Sequence, residues 1–206
     1  MTLYIVRHGE SEGNAARVHQ TNEMPLSPSG LSQAKKVAGR FLHTPVDLII
    51  SSTAMRAEQT AKEISAAVSK EIEFNEKLIE KQGPSETAGK KHIDVHHIWK
   101  AIAKHSDDPD WHYSNEENTW DFIKRIAQQL RQIEMRNQEN IVLVSHGHVI
   151  RALLGLMLFG PEFSSRQFDL LVEGLQTTNT GITVCSYRED KRWEILTFND
   201  HAHLLE

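Results

Sequence analysis

Residues 140–148 read NIVLVSHGH, and this stretch decides the fold. Asn140–Val144 is a continuous apolar run rich in branched side chains. It is too short for a buried helix and has the pattern of a strand covered on both faces, as in a parallel sheet. The run stops at Ser145-His146-Gly147-His148, and Val149–Phe159 then reads as a helix. The same grammar opens the chain. Thr2–Val6 (TLYIV) is a short strand that runs into Arg7-His8-Gly9-Glu10. Val46–Ile50 (VDLII) is a third such strand, leading into Ser51-Ser52 with Arg56 just beyond.

Between these strands lie helical patterns. Pro28–His43 carries Leu31, Ala34, Val37, Ala38 and Phe41 near helical spacing, with Ser27 or Ser29 as cap and Pro45 past its end. Ala54–Val68 is alanine-rich, and Glu116–Arg136 is a long amphipathic helix carrying Trp120, Ile123, Ile126, Ala127, Leu130 and Ile133. Glu71–Phe74 is a weak further strand. Gly181–Tyr187 and Arg192–Phe198 straddle a polar turn and read as an antiparallel pair. The alternation predicts a three-layer α/β/α sandwich on a mainly parallel sheet with an antiparallel edge. We expect one domain over residues 1–206, with an irregular insertion at about 78–110 covering one end of the sheet.

Composition narrows the function. The 206 residues carry a net charge of −5, which argues against general binding to nucleic acid or a membrane surface. The longest apolar stretch, Val149–Phe159, is too short to span a bilayer and contains Arg151. The N-terminus reads as a buried strand rather than a signal peptide. A single cysteine, Cys185, rules out an internal disulfide and fits a reducing, cytoplasmic setting. The sequence leaves the oligomeric state open, a homodimer included.

Ligands of open α/β sheets bind outside the carboxyl ends of the strands. Arg7, His8, Arg56 and His146 all fall at that edge, and the glycines after each histidine admit a ligand close to the backbone. Two guanidinium groups, two imidazoles and helix N-termini describe a phosphate site. Guanidinium pairs suit the equatorial oxygens of a phosphoryl group in transfer and can replace a metal ion. A neutral imidazole can attack phosphorus, and a carboxylic acid with a raised pKa can protonate the leaving oxygen. No metal and no cofactor is expected. His92 and His96, four apart with Asp94 and His97 nearby, have a spacing that holds zinc on a helix, but no third ligand is specified. Chance placement on a polar helix is the preferred reading. His19 and His148 have no positional support and read as structural or rim residues.

These motifs resemble the histidine phosphatase superfamily, also called phosphoglycerate-mutase-like. Residues 7–14 (RHGESEGN) resemble its nucleophile motif, residues 25–34 the block that follows, residues 51–61 (SSTAMRAEQTA) its second-arginine motif, and residues 145–147 its second-histidine motif. Residues 179–181 and 199–204 also look similar. The resemblance implies that His8 is the residue phosphorylated. It implies that Arg7, Asn14, Arg56, His146 and Gly147 line the phosphate pocket. The family's proton donor is an acidic residue after the third strand, which here is Glu80, with Glu86 as the reserve. The family's Glu and Arg near the start of the long helix match Glu117 and Arg125, for which a structural role is expected.

The implied activity is hydrolysis of a small phosphate monoester through phosphohistidine. A phosphoglycerate-type mutase and a non-catalytic phosphate-binding module are the alternatives. The chain lacks the long insertions of glycolytic mutases, and an intact His8, Arg7, Arg56 and His146 set argues against a mere binder. Trp99, Trp111 and Trp120 read as packing residues of the insertion or as pocket walls. Lys81, Lys90 and Lys91 are surface lysines or a site for a second negative charge.

Overall fold

The computed structural model describes residues 1–205. Strand β1 (Thr2–Arg7) is followed by the short helix α1 (Glu12–Ala16) and then α2 (Pro28–Gly39). Next come β2 (Leu48–Ser52), α3 (Met55–Val68) and β3 (Ile72–Asn75). A long excursion contains α4 (His96–Ala103), after which α5 (Thr119–Glu134) leads into β4 (Asn140–Ser145). The chain finishes with α6 (Gly147–Phe159), α7 (Ser165–Gly174), β5 (Ile182–Tyr187) and β6 (Trp193–Asp200). The sheet order is β3-β2-β4-β1-β5-β6. The first four strands in that order run parallel, and β5 and β6 form the antiparallel edge.

Strand alternation builds two cores. Leu3, Ile5, Ile50, Ile141 and Leu143 point to one face and pack with Phe122, Ile126, Ile150 and Leu153 from α5 and α6. Val6, Ile49, Val142 and Val144 point to the other and pack with Val37 and Phe41, and with Ala57, Ala61 and Ile64 of α3. Each buried Val, Leu, Ile or Phe side chain among them contributes roughly 1.5–3 kcal/mol of transfer free energy. Because β1, β2 and β4 run parallel, their carboxyl ends share one edge of the sheet. Register makes this concrete: Arg7 is opposite Ser145, and Ser51 is opposite Val144.

Several boundaries differ from the sequence reading. The helix predicted over Pro28–His43 stops at Gly39, and Ser27 caps it by accepting from Gly30 N. The helix expected from Val149 begins two residues earlier, at Gly147, because His146 already stands at its N-cap. The segment read as irregular holds α4. That helix starts at His96, so His92 lies outside it and the two histidines share no helix face. Helix α7 has no counterpart in the sequence pattern read above.

Gly30 fixes a close approach. A Cβ there would lie 1.9 Å from the Glu10 carbonyl oxygen, so the start of α2 presses on the loop that follows His8. The excursion is tied down twice. Ser145 Oγ donates to Leu78 O at 2.8 Å. Further along, His19 N donates to Lys90 O at 2.9 Å and Gly89 N to His19 O at 2.8 Å, which joins the excursion to the loop after α1.

Candidate active site

His8 follows β1 and is 2% exposed. Its Nδ1 lies 2.6 Å from Gly9 O, and Arg56 Nε points at its Nε2 from 3.3 Å. A carbonyl can only accept, so the proton sits on Nδ1, and Nε2 carries the lone pair. His146 takes the opposite tautomer, with its Nδ1 accepting from Arg56 and its proton on Nε2. Arg56 NH2 lies 3.3 Å from its Nδ1, and its Nε2 lies 2.8 Å from Ser52 Oγ. The two rings are 5.1 Å apart, and one guanidinium touches both. Burial, followed by the charge of His146 and Arg56, holds His8 well below the usual imidazole range. Burial, followed by the Arg56 charge, pushes His146 down to about 3. Both imidazoles are therefore neutral at neutral pH.

Arg56 sits in the first turn of α3 and is 2% exposed. Its NH1 donates to Thr21 O at 2.8 Å, and burial lowers its pKa to about 10. Arg7 donates to Thr177 O at 2.5 Å, while its buried Nε has no hydrogen-bond partner among the described residues. Gly147 lies against these groups. A Cβ on it would come within 3.1 Å of Arg151 NH1 and 3.2 Å of Thr177 Oγ1. Asn14 is half-buried. Its Oδ1 accepts from Ser11 N at 3.2 Å and from Asn179 Nδ2 at 3.4 Å, and Asn179 Nδ2 also reaches His8 O at 2.9 Å. Buried, partly unpaired guanidinium charge is costly unless an anion offsets it.

Glu80 is 27% exposed by its side chain. Its charge acts on Arg7, Arg56, His146 and Arg151. Its Oε2 accepts from His148 N at 3.2 Å and faces His148 Nδ1 at 3.3 Å, and its Oε1 accepts from Lys81 N at 3.0 Å. Burial alone would raise its pKa. His148 and its hydrogen bond, with lesser effects of His146 and the Lys81 backbone N–H, together outweigh that and hold it well below the usual carboxylate range. The expected raised pKa is thus not present in this state, because the acid has a histidine partner. His148, read from sequence as a rim or structural residue, lies against Glu80 with its side chain 41% exposed. Glu86 is exposed and accepts from Ser114 Oγ at 3.1 Å.

Behind Glu80 stands a clasp. Arg125 binds both oxygens of Glu117, at 2.6 and 2.7 Å, and donates to Lys77 O and Ile79 O at 2.6 and 3.1 Å. Glu117 N donates to Gln82 O at 3.0 Å. The segment bearing Glu80 is therefore gripped on both sides. Lys81 is faced by Glu117, Glu116, Asp169 and Glu80, and burial lowers its pKa. Lys90 and Lys91 are exposed. Trp99 stacks on His19 at 5.0 Å and donates to its Nε2 at 2.9 Å, and a Cβ on Gly83 would meet the Trp99 ring. Burial, with a lesser effect of the neighbouring His92, lowers His19 to about 4. His92 packs against His19 at 4.5 Å, and no group of three metal-binding side chains occurs among the described residues.

A parallel sheet whose carboxyl edge gathers two guanidiniums, two neutral imidazoles and a carboxylate defines an anion-handling enzyme site of the phosphoryl-transfer kind. The chain belongs to the histidine phosphatase superfamily (branch 1), whose family model matches residues 3–201. Among curated relatives, "Putative phosphoserine phosphatase 2" of Hydrogenobacter thermophilus is 31% identical over 164 residues, covering 75% of this chain and 77% of that one. "Probable phosphoglycerate mutase" of Shigella boydii is 28% identical over 215 residues, covering 99% and 95%. Among solved structures, a phosphoserine phosphatase mutant of Entamoeba histolytica in complex with phosphoserine superposes with a TM-score of 0.80 at 27% identity, over 98% of each chain. No helix among the described residues is long and apolar enough to cross a membrane.

Proposed function

We propose that the protein hydrolyses small phosphate monoesters through a phosphohistidine on His8. The observation that carries this reading is the Arg56 guanidinium shared between His8 Nε2 and His146 Nδ1, beside the unpaired Nε–H of Arg7. A phosphoryl group binding here takes over the donors that Arg56 now spends on the imidazoles. That frees the His8 Nε2 lone pair to attack in line. Arg7, Arg56 and Asn14, whose oxygen is engaged and whose amide nitrogen is its donor end, hold the equatorial oxygens. His146 and the first turn of α6 at Gly147 complete the cradle. Donors fixed before the reaction are worth most where charge develops.

In the first half-reaction the Nε2–P bond forms and the ester O–P bond breaks. Glu80, protonated beside the bound phosphate dianion, gives its proton to the leaving oxygen. In the second, water attacks phosphorus as the Nε2–P bond breaks, Glu80 takes a proton from that water, and phosphate leaves. The excursion from about 78 to 110 borders the leaving group and sets substrate choice. The relative named for phosphoserine supports a small metabolite ester as substrate. A mutase remains the second reading, on the strength of the relative named for phosphoglycerate mutation. In a mutase the phosphoryl group would return to a hydroxyl instead of water.

A panel containing phosphoserine, 3-phosphoglycerate, sugar phosphates and p-nitrophenyl phosphate distinguishes the two. Free phosphate released by the wild type and lost in His8→Ala supports the phosphatase. Isomerisation of 3-phosphoglycerate without release would make it a mutase. Substantial release by folded His8→Ala would exclude the covalent route.

A further inference from the structure

We propose that His148 and Glu80 work as one proton-carrying pair, in which His148 Nδ1 loads Glu80 Oε2 with the proton that the leaving group takes. The inference rests on the phosphatase reading and adds a residue which that reading does not need. Its basis is geometric. His148 is the second residue of α6, and both its backbone N–H and its ring Nδ1 converge on one carboxylate oxygen, at 3.2 and 3.3 Å. The imidazole is 41% exposed and the Glu80 side chain 27%, so the imidazole is the more open of the two to solvent. The remaining charged and titratable groups facing Glu80 are Arg7 from β1, Arg56 from α3, His146 and Arg151 at α6, and Lys81 from its own segment. The guanidiniums and Lys81 favour the carboxylate, as does the hydrogen bond from His148. On α7, Phe168 packs 6.0 Å from the His148 ring, and its neighbour Asp169 faces Lys81.

A resting carboxylate cannot protonate an alkoxide, so the acid needs a source. A phosphate dianion seated between Arg7 and Arg56 offsets their charge and raises the proton affinity of Glu80. The Nδ1–H bond of His148 then breaks as the Oε2–H bond of Glu80 forms. That bond breaks in turn as the ester O–P bond breaks and the alcohol O–H bond forms. Neutral His148 and the Glu80 carboxylate remain. Water returns one proton to Glu80 as its oxygen bonds to phosphorus and the Nε2–P bond breaks, and the pair again holds a single proton. The apparent pKa governing this step belongs to the pair.

His148 acts through Glu80 and is a positioning and proton-supplying residue. The test is the pH profile of kcat/KM for His148→Asn, which keeps an N–H donor near the Nδ1 position but has no transferable proton. Wild type and variant are compared on an alkyl phosphate, whose leaving group needs protonation, and on p-nitrophenyl phosphate, whose leaving group does not. We expect the alkyl profile of the variant to lose its basic side, with a rate about tenfold or more below wild type at neutral pH and recovery towards acid pH. The aryl profile should stay within about twofold at neutral pH. In a Glu80→Gln background the same substitution should add nothing. An alkyl profile that overlays wild type, an equal loss on both esters at every pH, or a further loss in the Glu80→Gln background would overturn the pair. A wild type that releases no phosphate would instead overturn the phosphatase reading on which the pair depends.

Discussion

At the level of single residues, the site depends on where protons and charges rest. His8 and His146 are neutral because they are buried beside guanidiniums, and each tautomer is set by a named neighbour. Glu80 is the residue whose loss should depend most on substrate. Glu80→Gln should slow an alkyl phosphate by about 10²-fold or more and p-nitrophenyl phosphate far less. Steady-state kinetics on both esters checks this, and equal losses would assign the donor elsewhere. Arg7, His8, Arg56 and His146 were legible in the sequence, because each stands at the end of an apolar strand or in the helix turn after one. His148 was not. Its contact with Glu80 depends on the segment after β3 reaching across β2 to the residue after β4, and no local pattern records a contact between positions 80 and 148. His19 hides for the same reason, since its partner Trp99 arrives from the excursion.

At the level of elements, the strands and long helices followed from periodicity, and the errors fall where periodicity is short. Helix α1 has 5 residues, too few to show a repeat. Helix α4 is 8 residues in a polar, histidine-rich stretch. Helix α7 did leave a signal, because Ser164 and Gln167 form a capping box ahead of Phe168, Leu171 and Val172. The antiparallel pair was readable from the polar turn between two β-rich runs. The Glu117–Arg125 clasp gives the elements a functional consequence. It joins the start of α5 to the segment that carries Glu80, with side chains only 16% and 15% exposed. Arg125→Ala removes the pair and two carbonyl contacts and leaves Glu117 without its cation. Urea unfolding should show a loss of about 3 kcal/mol, as for a largely buried ion pair cut on one side. Turnover of alkyl esters should fall as Glu80 drifts. Unchanged stability would mean that the clasp holds nothing.

For the whole molecule, the site constrains stability as well as chemistry. A buried imidazole whose folded pKa is depressed binds fewer protons than the unfolded chain once the pH drops below about 6.5. Stability is then fully present above that value and declines as pH falls towards the folded one, about 3 for His146. Between pH 7.5 and 5 this residue alone should cost about 2 kcal/mol, and His8 adds in the same direction. Urea midpoints at pH 7.5 and 5 measure the effect, and equal midpoints would contradict neutral burial of the two rings. The sandwich itself was readable from composition and alternation. The reach of the excursion over loop 17–22 was not, because it is fixed by Gly89, Lys90 and Trp99 meeting His19 across some seventy residues of chain or more.

The most direct test of the account is to trap the intermediate. The enzyme would be mixed with excess substrate, quenched within milliseconds in alkali, where phosphohistidine survives, and mapped by mass spectrometry. A phosphoryl group on His8 that forms and decays at the rate of turnover is the predicted result, absent in His8→Ala. Full turnover with no phosphoryl group on His8 at any time, or with one on another residue, would contradict it.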